Sequence, residues 1–501
     1  MYNHRFNRIL IANRGEIALR IARTCKELGI HTVAVYSTPD RSAPHVRYCD
    51  EAYEIGPAPS RESYLRQEAI VDLARQTNSD AIHPGYGFLA ENAAFADMCA
   101  ENGICFIGPP PSAIRSMGDK TAARKMMEAA GVPVVPGTVE PVATADEAAT
   151  IAAEIGYPVL LKAAAGGGGK GMRVVRSESE LEKALASAQS EAQSAFGDRR
   201  VFLEKLIEKP RHIEFQILAD AHGNIIHLFE RECSIQRRHQ KVIEEAPSPI
   251  MTEALRKRMG KAAVEAARSC GYVNAGTVEF LVDRDLNYYF MEMNTRLQVE
   301  HPVTEWITGL DLVAEQIRIA EGESLTITQD DLLIRGHAIE SRIYAEDPAN
   351  DFLPDSGTLL RHRPPEGPFV RVDAGVEEGG MVEIHYDPMI SKLTAWGRTR
   401  IEAINRMDRA LSAYAIDGVR NTIPFCQFVM RNAAYRKGDM STHFIEQHFE
   451  PSELPQLDDS EFAAGSIAAA LSTRINSNHR EHDAGEPTHA SPGWKNRKEF
   501  R

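Results

Sequence analysis

The sequence predicts a mixed α/β protein of several domains, beginning with a doubly wound layer of parallel strands. Three observations predict it. The chain has 501 residues, too many for one hydrophobic core, so two to four domains are expected. Its N-terminal part alternates apolar runs with amphipathic stretches at strand–helix–strand spacing. Farther along, GTVEFLVDRDLNYYFMEMNTRLQVEH, residues 276–301, reads as a hairpin whose polar residues are spaced for chemistry rather than for packing.

Residues 8–12 form a short apolar run, Asn13-Arg14-Gly15 turns the chain, and 16–28 has helical spacing that stops at Gly29. A second apolar run at 31–36 completes a βαβ unit. The pattern repeats through a helix at 69–76, a strand at 81–83, a helix at 92–102 and a strand at 104–107, so the first domain spans 1–117. HPGYGF, residues 83–88, falls just past a strand's carboxyl end, where open α/β sheets place ligands. A tight turn explains its two glycines equally well.

From Gly118 the texture changes. Asp119-Lys120 opens a helix reaching Ala130, and Gly131-Val132-Pro133 stops it. Strands at 157–163 and 172–176 flank AAGGGGKG, residues 164–171. Gly166, Gly168 and Gly171 satisfy G-x-G-x-x-G, but that fingerprint needs a following helix, and MRVV is strand-like. A Walker A loop fails because Gly171 follows Lys170. What remains is a glycine hairpin between strands. Four consecutive glycines cost ordering entropy, which favours phosphate contact over a purely structural turn. A strand at 201–206 and a hairpin from 212–218 and 225–230 follow. The cation-dense run RECSIQRRHQK, 231–241, is either a solvated charged surface or an anion-neutralising element. Helices are expected at 252–269 and 303–320.

In the hairpin, a turn at Asp285-Leu286 places Glu279 directly opposite Glu292, with Cβ atoms about 5 Å apart. Like charges repel there unless a cation sits between them. Asn294 shares their side by strand alternation, and two carboxylates with an amide oxygen suit Mg²⁺ or Mn²⁺. An exposed face of ordinary surface glutamates is the competing explanation. Arg296, Gln298 and Glu300 continue the alternation as a polar row. A third segment, 335–450, shows antiparallel strand patterns to 395 and a helix at 400–414. Residues 451–501 read as a largely disordered tail, in which Trp494 and Phe500 sit among cations either as anchors for a partner or simply as part of a solvated tail without one.

A formal charge of −14 argues against broad nucleic-acid binding, and no run approaches the length of a membrane span. No signal peptide is evident at the start. Seven scattered cysteines without a CxxC pair exclude the usual zinc spacings and a disulfide framework, and fit a reducing cytoplasm.

Taken together, IANRGEIALRI, AIHPGYGFLAEN, MGDK, YPVLLKAAAGGGGKGMRVV, EKPRHIEFQ, ERECSIQRRHQKVIEEAP, GTVEF, MEMNTRLQVEHPVTE, RGHAIESRIYAED and YDPMISKL resemble the biotin carboxylase family within the ATP-grasp fold, over about residues 5–450. The resemblance implies an ATP-grasp domain at 118–334 with a mobile lid at about 136–206, and a C-terminal α+β domain. It implies ATP-dependent carboxylation of biotin with bicarbonate. Lys120, Lys162, Lys205, His212, Gln236 and His239 are implied at the nucleotide, with Gly166, Gly167, Gly168 and Gly169 over its phosphates and Glu204 and Leu206 lining the adenine pocket. Glu279, Glu292 and Asn294 match the metal positions. Lys241, Arg296, Gln298 and the Val299 backbone match a bicarbonate cradle, Glu300 a general base, and Arg342 the stabiliser of the biotin enolate-like oxygen. Ser341, where a cysteine is common in relatives, and Ala164-Ala165, within a longer glycine run in some, are the departures.

No Met-Lys-Met biotinylation motif occurs in the sequence, so biotin is expected on a separate carrier protein, with carboxyltransferase subunits as further partners and a homodimer as the assembly. The final acceptor is expected to be acetyl-CoA, with a place in fatty acid synthesis, or propionyl-CoA; a two-subunit pyruvate carboxylase is the alternative. Another ATP-grasp ligase would lack RGHAIESRIYAED and the third segment. A catalytically dead scaffold would not need the intact set of Glu279, Glu292, Asn294, Arg296, Glu300 and Arg342.

Overall fold

β1 (Arg8–Ile11), α1 (Gly15–Glu27) and β2 (His31–Ser37) form the expected βαβ unit in a computed structural model that describes residues 6–138, 140–163 and 172–454. β1 and β2 run parallel, with Arg8 opposite His31. β3 (Glu51–Gly56), α2 (Gln67–Gln76), β4 (Ala81–His83), α3 (Ala93–Glu101) and β5 (Cys105–Phe106) complete a parallel sheet of order β3-β2-β1-β4-β5. β3 was not legible in the sequence: EAYEIG lies on the sheet edge with most side chains partly or fully exposed, so it lacks an apolar run. The strand order reverses between β1 and β4, and HPGYGF sits at that switch. Asn13 Nδ2 donates to the carbonyls of Pro84 (2.7 Å) and Tyr86 (2.8 Å), tying the two turns together. Gly85 has φ +64°, and a Cβ there would lie 2.9 Å from Asn13 Nδ2, so the close approach requires glycine.

After α4 (Pro111–Gly118), α5 (Lys120–Ala129) is capped by Asp119, whose carboxylate accepts from the Thr121 and Ala122 N–H groups. α6 (Ala145–Ile155), β6 (Val159–Ala163), β7 (Met172–Val175), α7 (Glu178–Phe196) and β8 (Val201–Lys205) then build a small layer with its own three-stranded antiparallel sheet, β7-β6-β8. Its core contains Val142, Ala148, Leu161, Leu181 and Leu203. The glycine run Gly166–Gly169 lies outside the described residues.

The main sheet is drawn from β9 (Arg211–Ala219), β10 (Ile225–Arg237), β11 (Gln240–Ala246), α8 (Glu253–Ser269), β12 (Asn274–Val282), β13 (Tyr288–Asn294), α9 (His301–Thr308), α10 (Leu312–Ala320), β14 (His337–Tyr344), β15 (Val370–Ala374), β16 (Met389–Gly397) and α11 (Arg400–Ala413). Its eight strands are antiparallel in the order β13-β12-β9-β10-β11-β14-β16-β15, so hydrogen bonding is continuous past residue 334. Apolar faces pack beneath α8 on one part and against α11 on another. No helix among the described residues is long and apolar enough to cross a membrane.

One open alternative is decided and two expectations are corrected. The cation-dense run is not a solvated surface: it continues β10 through Arg237, with Arg231 fully buried, and turns at Arg238 and His239, whose φ values are +50° and +67°. The helix expected at 303–320 is two, because Gly309 ends the first at φ +78° and the Asp311 carboxylate caps the second. Buried Ile307, Leu312 and Ile317 had masked the break by extending one apolar face. Finally, Val282 pairs with Tyr288 and Phe280 with Phe290, which centres the hairpin loop on Asp285. A bulge before Glu292 restores the facing of Glu279 and Glu292.

Candidate active site

Alternation along β9 sends Ile213, Phe215 and Ile217 into an apolar core and His212, Glu214 and Gln216 to the opposite face, and all six are buried. The second face is therefore an interior made of charges, which must be paired. Arg231 supplies one partner. Its Nε meets Glu214 Oε1 at 2.5 Å, and its terminal nitrogens donate to Gln216 Oε1 (2.7 Å), Thr304 Oγ1 (3.0 Å) and Thr277 Oγ1 (3.1 Å).

Lys241 supplies the other. Its ammonium donates to Glu214 Oε2 at 2.5 Å, Glu279 Oε1 at 2.8 Å and Glu300 Oε1 at 2.6 Å. Burial opposes that charge, yet the three carboxylates hold the Lys241 pKa well above the ordinary range. Glu300 is fully buried, and its second oxygen accepts from Arg342 at 2.9 Å. Burial would raise its pKa, but Lys241, Arg342 and Arg231 hold it well below the usual carboxylate range. Arg342 also donates through Nε to Glu244 Oε1 at 2.6 Å. Burial pushes the Glu244 carboxyl up to about 7, against the pull of Arg342.

Glu279 is the hub of the near side. Its Oε1 also accepts from Asn294 Nδ2 (2.8 Å) and Gln298 Nε2 (3.1 Å), and His212 Nε2 lies 2.9 Å from its Oε2. Gln236 Nε2 approaches His212 Nδ1 at 2.7 Å. Arg296 donates to Asn294 Oδ1 at 3.0 Å and to Glu91 Oε2 at 2.8 Å, linking the row to the segment after HPGYGF. One contact network thus joins Gln236, His212, Glu279, Lys241, Glu300, Arg342, Asn294, Arg296 and Gln298, all singled out from sequence. Val299 contributes backbone, with its carbonyl bound by Lys392 at 2.8 Å.

The remaining singled-out residues lie apart from that network. Lys120 is exposed at the start of α5, and His239 is exposed in its turn. In the small layer, Lys162 pairs with the Glu204 carboxylate, which also lies 3.5 Å from Arg124. Lys205 donates to the carbonyls of Gly156 (2.9 Å) and Tyr157 (3.0 Å), and the Leu206 N–H to Pro158 O at 3.1 Å.

Sequence reading missed Glu214, Arg231, Glu244 and Glu91. The alternation of HIEFQI, polar at every second position of a strand, was a usable signal for Glu214. Nothing distinguished Arg231 among its neighbouring cations, or Glu91 in its loop.

Glu279, Glu292 and Asn294 fit a divalent cation. Glu292 faces Glu279, is solvent-accessible and has no ion pair among the described residues. Desolvation and then the Glu279 carboxylate raise its pKa against the pull of Lys120, His212 and Lys241, a repulsion between facing carboxylates that a cation would relieve. The donors are hard oxygens, as Mg²⁺ or Mn²⁺ requires. Glu214 lies close to His212 and Glu279 but is held by the two cations Arg231 and Lys241; at Glu279 and Asn294 a bound cation would take the place of contacts now made by Lys241, His212 and Arg296.

Three family descriptions match the chain: the biotin carboxylase N-terminal domain over 5–114, the ATP-binding domain of the carbamoyl-phosphate synthase L chain over 119–328, and the biotin carboxylase C-terminal domain over 340–447. A pyruvate carboxylase subunit of Methanothermobacter thermautotrophicus is 60% identical over 444 residues, 88% of this chain and 90% of its own length. The biotin carboxylase of Nostoc sp. is 56% identical over 88% of this chain and 99% of its own length. The propionyl-CoA carboxylase alpha chain of Ruegeria pomeroyi is 48% identical over 95% of this chain and 74% of its own length. Among solved structures, the biotin carboxylase domain dimer of Hydrogenobacter thermophilus 2-oxoglutarate carboxylase, in complex with MgADP, ADP and bicarbonate, aligns with a TM-score of 0.83 at 50% identity, over 90% of this chain and 99% of that one.

Proposed function

This chain belongs to the biotin carboxylase family of ATP-grasp ligases, and we propose that it uses ATP and bicarbonate to carboxylate the biotin of a separate carrier protein. Glu300 carries the proposal: a fully buried carboxylate held between Lys241 and Arg342, beside the facing glutamates Glu279 and Glu292. Bicarbonate enters a cradle of Lys241, Arg296, Gln298 and the Val299 backbone. As Lys241 turns toward the anion, its hold on Glu300 loosens and the carboxylate becomes more basic. Glu300 takes the bicarbonate O–H proton, and the freed oxygen attacks the γ-phosphorus of ATP. The bond to ADP breaks and carboxyphosphate forms. Its decomposition gives CO₂ and phosphate, and the phosphate accepts the biotin ureido proton. Arg342 stabilises the enolate-like oxygen that results, an electrostatic role for a fixed guanidinium. The nitrogen then adds to CO₂.

A divalent ion at Glu279, Glu292 and Asn294 supplies charge neutralisation for phosphoryl transfer. Lys120, Lys162, Lys205, His212, Gln236 and His239 serve the nucleotide, with Glu204 and Leu206 at its base and Gly166–Gly169 over its phosphates. Closure of the layer at 136–206 brings Lys162 and Lys205 to it and excludes water from carboxyphosphate.

We assign the domains as 1–117, 118–334 and 335–450, place the protein in the cytoplasm and take it to work as a homodimer with carrier and carboxyltransferase subunits. The acceptor is an acyl-CoA, supported by the longer match to the propionyl-CoA carboxylase chain; pyruvate is the second reading, favoured by the higher identity to the pyruvate carboxylase relative. The test is ATP hydrolysis by purified protein with Mg²⁺, bicarbonate and free biotin. Absence of bicarbonate-dependent, biotin-stimulated hydrolysis sinks the proposal. Supplying carrier and carboxyltransferase partners, then measuring acyl-CoA-dependent against pyruvate-dependent turnover, separates the two acceptors.

A further inference from the structure

Two buried side chains behind the charged row grip its backbone. His301 Nδ1 lies 2.8 Å from the Gln298 carbonyl oxygen. A carbonyl only accepts, so Nδ1 carries the hydrogen and Nε2 is a bare lone pair. That Nε2 is buried without a hydrogen-bond partner. Burial, and then the cations Lys392, Arg20 and Arg371, hold the ring's pKa well below the usual histidine range, so the imidazole stays neutral. The next carbonyl along, that of Val299, accepts from Lys392 Nζ at 2.8 Å. Lys392 comes from β16, is fully buried and is balanced by Glu16 Oε1 at 3.1 Å.

A peptide unit is planar, and its C=O and N–H point in opposite directions. Holding Gln298 O therefore aims the Val299 N–H away from the imidazole. Holding Val299 O aims the Glu300 N–H away from the ammonium. The two peptides that bracket Val299 are thus fixed, the first by the His301 imidazole at 2.8 Å with a longer contact from the His301 backbone N–H at 3.3 Å, the second by Lys392.

We infer that His301 and Lys392 are positioning residues for the anion cradle, fixing the Val299 backbone so that its N–H meets bicarbonate, a role that presupposes the bicarbonate site proposed above. Neither side chain need touch the anion.

The test uses the full chain, with biotin-stimulated ATP hydrolysis titrated separately against bicarbonate and against ATP. His301→Asn keeps a donor near the position of Nδ1, whereas His301→Leu keeps bulk and loses the donor. The Leu variant should raise the KM for bicarbonate about tenfold, the scale of one lost hydrogen bond, with the KM for ATP within about twofold. The Asn variant should stay within about twofold of wild type on both. The double variant Lys392→Met/Glu16→Gln removes the second grip together with its countercharge and should raise the same KM. It decides the matter if His301→Leu shows no cooperative thermal unfolding. Equal behaviour of the Asn and Leu variants, a parallel rise for both substrates, or an unchanged bicarbonate KM in the deciding variant overturns the inference. A wild-type chain without bicarbonate-dependent hydrolysis instead removes the functional proposal beneath it.

Discussion

Arg342 and Glu300 meet at 2.9 Å, both buried, across the junction between β14 and the segment that leads into α9. Lys241 holds the other oxygen of the same carboxylate at 2.6 Å. Glu300→Gln preserves the shape and removes the base. Biotin-stimulated turnover should fall about 10²–10⁴-fold, the usual worth of a positioned general base, while ATP affinity stays within a few-fold. A matching loss of nucleotide binding in a titration would move Glu300 to the nucleotide or metal site.

The facing glutamates make a second prediction. Chelation of divalent ions should abolish ATP hydrolysis. Residues that merely orient metal ligands are worth about 10–100-fold in metal affinity, so Glu292→Gln should raise the Mg²⁺ concentration for half-maximal rate at least about tenfold. An unchanged Mg²⁺ dependence would return Glu292 to an ordinary surface carboxylate.

Arg231→Met should be costly for folding. It leaves Glu214 with Lys241 as its remaining cation, in a fully buried place. Breaking a buried pair from one side typically costs about 3–5 kcal/mol. Chemical denaturation of both proteins measures it, and a difference near zero would mean that Lys241 alone suffices.

Glu244 sets a pH dependence. Its carboxyl titrates at about 7 in the folded chain against an ordinary 4.5, raised chiefly by burial. The folded state therefore binds this proton more tightly than the unfolded one. That contribution to stability is complete below 4.5 and lost as pH rises through about 7. The thermal midpoint of Glu244→Gln, compared with wild type, should rise with pH across that window and level off above it. A difference that does not vary with pH would place the Glu244 pKa at its ordinary value.

Hydrogen exchange tests the lid. Backbone amides at 140–163 and 172–206 should exchange faster without nucleotide than with ATP and Mg²⁺, because the small sheet has its own core and can move as a body. Equal protection in both states would count against a closing layer.

Much of this site was legible because strand alternation writes it into the sequence. Glu279, Glu292 and Asn294 share a side for that reason, and the polar row through Glu300 continues it. The hairpin facing was right although its turn was misplaced: the bulge before Glu292 compensated for a loop centred one step earlier. Where the sequence left a choice open, tertiary packing decided it. Arg231 looks solvated among its cationic neighbours, yet four oxygens of Glu214, Gln216, Thr304 and Thr277 make its burial tolerable. Glu244 and Glu91 act through partners about a hundred to two hundred residues away, which no local pattern encodes.

The pairing of β11 with β14 also limits how such a protein can be divided or recombined. Residues 335–450, produced alone, would present β14 with the N–H and C=O groups of Ala338, Ile339, Glu340 and Ser341 that β11 normally satisfies. Raw strand edges of that kind recruit other chains, so the fragment should self-associate rather than stay monodisperse. Its Arg342 would also lose Glu244 and Glu300, which come from the other side of the cut. Exchange of parts between carboxylases by inheritance or by engineering is therefore expected to carry β9 through β16 as one indivisible cassette.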